Sequence, residues 1–272
     1  MDWSIDDDNI LKVLVPLNEE MISIANEAKS KIPDGDYTLL DFVFIGFFNR
    51  FIDTLVSTNI LLQNYKQNRN VETAIGLTFR ASLLDFMTLV YFGSYELDID
   101  DSKPETNKKH EEVLTNFVCE QLRYTIKYWE LVYKSRVIND KEYSLALKNF
   151  YETHKVYFTH FDEKNLSACL KGKKYTNTDM FNRIHQDKKL KHLSNVYDYY
   201  TFYSKYDHFG ILTNSMQDMS ITDEFSRIRY CYDYIYQGII ITVLKLGDKF
   251  PSLLPYGDEL QKTYKKLRPL LK

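Results

Sequence analysis

Two stretches of this chain carry polar groups where the helical pattern is otherwise apolar. One spans 78–86 and holds Arg80 and Asp85; the other spans 199–210 and holds Tyr200, Tyr203, Ser204, Lys205 and His208. Ser204 and His208 stand i,i+4, so on a helix their side chains share a face and can touch, with Tyr200 one turn back. A Ser–His contact is the minimum for an activated nucleophile and a His–Asp contact the minimum for an oriented base. His208, Ser204 and Asp85 therefore have the residue types of a triad. Arg80 and Asp85 lie about 140° apart on an ideal helix and do not serve each other. The planar fork of Arg80 suits a carboxylate or phosphate from elsewhere, with Tyr200, Tyr203 and Lys205 as ligand contacts. The same groups, buried and mutually satisfied, form a structural network, and that reading stands ahead of acyl transfer.

A second candidate is basic. Between 171 and 191 fall Lys171, Lys173, Lys174, Arg183, Lys188, Lys189 and Lys191, interleaved with Tyr175, Phe181 and His185. Cations with ring partners are what single-stranded RNA recognition requires, and Lys173, Lys174, Arg183, Lys188, Lys189 and Lys191 are the contacts this reading nominates. A solvated lysine-rich loop has the same composition and is the plainer reading. Metal chemistry finds less support. His154 and His160 are six apart, which puts them on opposite sides of a helix, and no carboxylate spacing completes a ligand set around His185 and His192. Without a Gly-rich phosphate loop or a G-x-S-x-G turn, no cofactor is implied.

These windows need long helices to hold them, and the composition provides for that. In 272 residues there are only 9 Gly and 6 Pro, too few for the turns of many short strands, and 44% of the chain is hydrophobic. Apolar residues recur at helical period over about 9–30, 41–67, 70–95, 109–136, 140–160, 193–207, 223–245 and 256–266, with Thr38 and Asp41 capping the second segment and Gly210 closing the sixth. The stretch 98–107, with Pro104, reads as a loop, and 161–191 as loop plus a short helix from about 179. The expected fold is all-α: one helical domain over 1–272, of about eight or nine helices in a bundle-like array. Lys and Arg number 35 against 38 Asp and Glu, a formal charge of −3, so any nucleic-acid role must be local. Three widely spaced cysteines and an acidic N-terminus predict a reduced, cytoplasmic protein. Acidic and basic residues interrupt the longest apolar runs, which predicts core helices and no membrane span. Ring-rich surfaces permit a homodimer, and no other partner is indicated.

Both polar windows, 77–91 and 197–210, resemble a family of uncharacterised bacterial all-helical proteins that pair an Arg-hydrophobic-acid helix with a later Ser-x-x-x-His helix. Arg80, Asp85, Ser204 and His208 are the matching positions, although the acid here is Asp five residues after the Arg rather than Glu at four. The resemblance implies a helical bundle in a bacterial cytoplasm, regulatory or associated with defence. HEPN ribonucleases, also helical, have a signature of Arg, four to six residues, then His on one helix, and that spacing is absent here. The functional expectation is a helical module whose polar constellation is structural or binds a small anion. The alternative is a divergent HEPN-like ribonuclease with His208 as base, Arg80 on a phosphate and 171–191 on RNA.

Overall fold

Local capping chemistry starts several of the helices. Thr38 Oγ1 accepts the amide of Asp41 at 3.3 Å while Asp41 Oδ2 accepts the amide of Thr38 at 2.7 Å, a reciprocal box that opens the helix Leu39–Gln63. Asn139 and Glu142 form the same box before Asp140–Thr153. The computed structural model describes residues 5–35, 37–65, 71–100, 102–174, 176–204 and 221–271. Nine α-helices lie among them: α1 (Ile5–Ser30), α2 (Leu39–Gln63), α3 (Val71–Glu96), α4 (Pro104–Lys134), α5 (Asp140–Thr153), α6 (Asn177–Gln186), α7 (Val196–Tyr203), α8 (Ile221–Gly247) and α9 (Leu254–Leu267). The fold is all-α, 81% helical with no strand among the described residues, as the glycine and proline scarcity predicts.

The largest departures of element ends from the sequence reading are in the fourth and fifth helices. The fourth helix begins at Pro104 rather than 109, because proline's missing N–H is harmless in a first turn. The fifth stops at Thr153 rather than 160, since the chain passes into a 3₁₀ turn, Lys155–Tyr157, and Phe158 pairs antiparallel with Leu170.

The chain forms two compact units, Met1–Val90 with Ile184–Lys272, and Tyr91–Arg183. In the first, α2 packs on α1 and α8, and α9 packs on α1 and α8. Gly238 of α8 lies under the Phe51 ring of α2, where a Cβ would come within 2.6 Å of it. Rings join the remaining helices to α8: Phe79 and Phe86 of α3 meet Tyr232 and Tyr234, each at 5.2 Å between centroids, and Tyr199 of α7 meets Tyr234 at 6.0 Å. At the centre, fully buried Asn18 donates to Asn59 at 3.0 Å and accepts from the Tyr236 hydroxyl at 2.8 Å, joining α1, α2 and α8. Of the described helices only α3 is long and apolar enough to cross a bilayer, and 72% of that apolar window is buried within the protein, as a core helix requires.

In the second unit, α4 and α5 enclose an apolar cluster that includes Cys119, Leu122, Ile126, Leu147, Phe158 and Cys169. The Gly172 amide donates to Cys119 Sγ at 3.3 Å, and Arg123 donates to the Gly172 carbonyl. A Cβ at Gly172 would fall 2.6 Å from that of Cys119, so only glycine lets the segment lie this close to α4.

Candidate functional site

Among the described residues the two polar windows come together through rings. Phe79, next to Arg80, stands 5.9 Å from Tyr203, and Phe86, next to Asp85, shares Tyr234 with Tyr199. Asp85 is 7% exposed and pairs with Arg50 of α2 at 2.8 Å, so its cation is not Arg80, which is half-buried on the same helix. Burial pushes the Asp85 carboxyl up to about 6 against the opposing pull of Arg50. Ser204 caps α7 and donates its hydroxyl to the Tyr200 carbonyl at 2.7 Å, an i→i−4 bond that directs its single proton into the helix. Tyr203 is completely buried, with its hydroxyl near the Cys231 thiol. Tyr200 is half-buried, 6.2 Å from Tyr197. Lys205 and His208 lie outside the described residues.

The basic stretch resolves into separate roles. Lys173 approaches Glu112 at 3.5 Å, while Lys174, Lys188, Lys189 and Lys191 are exposed. Arg183 does something the sequence reading missed. Of the last four carbonyls of α3, those of Gly93, Tyr95 and Glu96 accept from the amides of Leu97, Asp98 and Ile99. The fourth, Ser94, accepts from Arg183 Nη2 at 2.9 Å. Arg183 Nε also reaches Ser94 Oγ at 3.1 Å, the guanidinium pairs with Asp98, and it lies over the Tyr95 ring at 4.6 Å. A cation there satisfies the orphan carbonyl and opposes the negative end of the helix dipole. The guanidinium nominated for RNA is committed to ending α3.

A polar cluster between α8 and α9 was also missed. Asp233 Oδ1 accepts from the Tyr264 hydroxyl at 2.6 Å and Asp233 Oδ2 accepts from Gln237 Nε2 at 3.0 Å. Burial raises the Asp233 carboxyl, while Tyr264, Gln237 and the charge of Arg268 act against that rise. Burial and the neighbouring Asp233 raise the Tyr264 phenol, so the hydroxyl stays protonated and donating. Beside this cluster opens a cleft of about 310 Å³ with Ile240 and Ile241 as its apolar wall and Gln237, Gln261, Tyr264, Lys265 and Arg268 as its polar one. Lys265 and Arg268 are exposed, and among the described residues no carboxylate lies within ion-pair distance of either. The signal available in sequence was the i,i+4 pairing of Asp233 with Gln237 and of Tyr264 with Arg268 on two amphipathic helices.

A larger hollow of about 630 Å³ lies at the turn between α4 and α5, lined from Tyr133 to Glu142. Most of its polar groups are engaged: Asn139 and Glu142 cap α5, Tyr133 donates to Asp140 at 2.9 Å, and Lys134 stands 3.9 Å from Glu130, while Arg136 is exposed. The smaller cleft is the better candidate because it sets an apolar wall, Ile240 and Ile241, opposite two cations, Lys265 and Arg268. No protein-family model, no curated protein and no solved structure matches this chain.

Proposed function

We propose that this chain is a regulatory helical module that binds a small anion with an apolar body in the α8–α9 cleft. The anionic head meets Lys265 and Arg268, the body lies along Ile240 and Ile241, and Asp233 holds Tyr264 and Gln237 in place beneath. One observation carries the reading: two exposed cations, neither in an ion pair among the described residues, stand on the rim of an apolar cleft where Gln237 and Tyr264 are already fixed by hydrogen bonds to Asp233. A carboxylate or phosphate on a short alkyl chain has the matching chemistry, since the guanidinium fork binds either one through paired N–H donors. Three free, buried cysteines accord with a reducing cytoplasmic setting for the module.

Thermal melting with octanoate and with octyl phosphate tests this. A ligand at about 100 times its Kd stabilises a single-site protein by about 2.7 kcal/mol. The parent should melt higher with one or both compounds, and the double variant Lys265→Ala, Arg268→Ala should lose the shift. An equal shift in both proteins, or none in the parent, rejects the proposal.

A further inference from the structure

Cys169 lies in the second unit, in a 3₁₀ turn, Leu166–Cys169, and is part of neither lining described above. Its sulfur is 3.5 Å from His160 Nε2, and Thr159 Oγ1 is 3.0 Å from Nδ1 of the same imidazole. The Thr159 amide and hydroxyl both donate to the Cys169 carbonyl, at 2.8 and 3.0 Å, and the neighbouring Phe158–Leu170 bridge holds the two chain segments in that register.

Proton counting sets the imidazole tautomer. A carbonyl oxygen can only accept, so the single hydroxyl proton of Thr159 points at Cys169 O. Thr159 Oγ1 then accepts from His160 Nδ1–H, so in the neutral imidazole Nε2 carries no proton and faces the thiol, which also lies 3.6 Å from the Asn165 carbonyl. Nucleophile, base and orienting hydroxyl thus stand in the order that activates a cysteine. Burial and the Asp162 carboxylate raise the thiol above its ordinary range, so the resting sulfur keeps its proton until a base takes it. Cys169 is 4% exposed, directly beneath an exposed imidazole, which leaves room for a small reagent and not for a bulky acyl group. Cys119 and Cys231 are both fully enclosed, and burial likewise raises their thiols.

We propose that Cys169 and His160 form a thiol–imidazole pair that reduces small hydroperoxides and is left as a sulfenic acid. The thiol proton passes to His160 Nε2 and the sulfur attacks the distal peroxide oxygen. An S–O bond forms as the O–O bond breaks, and His160 returns its proton to the departing oxygen. Sulfur loses two electrons, and the peroxide is reduced to an alcohol, or to water from hydrogen peroxide. Thr159 is a positioning residue that holds the tautomer. The oxidised sulfur carries a polar oxygen into the apolar cluster of Leu166, Phe158 and Leu147, which links the oxidation state of one atom to the packing of the second unit.

The test is to treat the full chain with hydrogen peroxide, trap sulfenic acid with dimedone, and locate the adduct by peptide mass spectrometry. Cys169 should be labelled ahead of Cys119 and Cys231. His160→Gln, at an exposed position, should melt as the parent does and label about a hundredfold more slowly, the low side of what a positioned acid–base group contributes. Thr159→Val should slow labelling and Thr159→Ser should restore it. The proposal falls if His160→Gln or Thr159→Val labels at the parental rate, if Cys119 labels as fast as Cys169, or if Cys169 gives no adduct.

Discussion

Asp85 and Arg50 meet at 2.8 Å across α2 and α3 as an unequal pair, the Asp85 side chain 9% exposed and the Arg50 side chain 60%. Water screens the cation while burial penalises the anion, so the attraction offsets only part of the desolvation. The pair that the sequence suggested within α3 is instead a link to the preceding helix, and its energetics depend on pH.

The carboxyl of Asp85 titrates at about 6 in the folded chain against 3.8 for an ordinary aspartate. Because the folded value is the higher, the native state binds the extra proton between the two, and this group's contribution to stability rises as pH falls through that window. Above pH 6 the full penalty is present, about 3 kcal/mol for a shift of that size. Asp85→Asn removes the titration. Urea melts of parent and variant from about pH 8 down to about pH 4.5 should show the parent gaining on the variant by about 2 kcal/mol, the rest being recovered only below the ordinary aspartate value. A difference independent of pH would show that Asp85 is not the group titrating.

Arg183→Ala should destabilise the chain by about 2–3 kcal/mol, since it strips the Ser94 carbonyl and the Asp98 carboxylate of a charged donor at once. Arg183→Lys should recover little, because an ammonium cannot match the fork on the Ser94 hydroxyl and carbonyl. Denaturant midpoints measure both. If stability is unchanged and only affinity for single-stranded RNA drops, Arg183 belongs to the basic stretch after all.

Gly238→Ala sets a methyl carbon 2.6 Å from the Phe51 ring and should cost about 1–3 kcal/mol by overpacking. Gly46→Ala, also within a helix but with nothing within 4 Å, should instead stabilise by about 0.5–1 kcal/mol through helix propensity. Opposite signs in thermal melts of the two variants are the expected result. Two destabilising values would mean that α2 has no open side at Gly46.

What the sequence showed directly was what neighbouring residues decide among themselves. Thr38 with Asp41 announces the start of α2, and helical periodicity marks the face of α8 that carries Ile235, Ile239 and Val243. The passage between the two units was silent because it runs through α3 and α6, where no linker composition accompanies it. Cys169 and His160 are nine positions apart in a stretch of 3₁₀ turns and a single bridge, which has no period to read. Asp233 and Tyr264 are 31 apart, and only the docking of α9 on α8 brings them together. Arg183 carried its charge openly, but the carbonyl it serves is 89 residues away.

The hydrogen bond between Asn18 and Tyr236 spans 218 positions. A ribosome adding roughly 5–20 residues per second makes the second residue roughly 10–40 s after the first. Throughout that interval α1 and α2 exist without α8, and the amides of Asn18 and Asn59 have no hydroxyl to complete them, while the groove for Gly238 beneath Phe51 stands open. The beginning of this protein therefore cannot mature on its own during translation. Its first two helices are held in waiting for the last third of the chain, a period in which chaperones have the earliest access to the greasy faces that the finished molecule conceals.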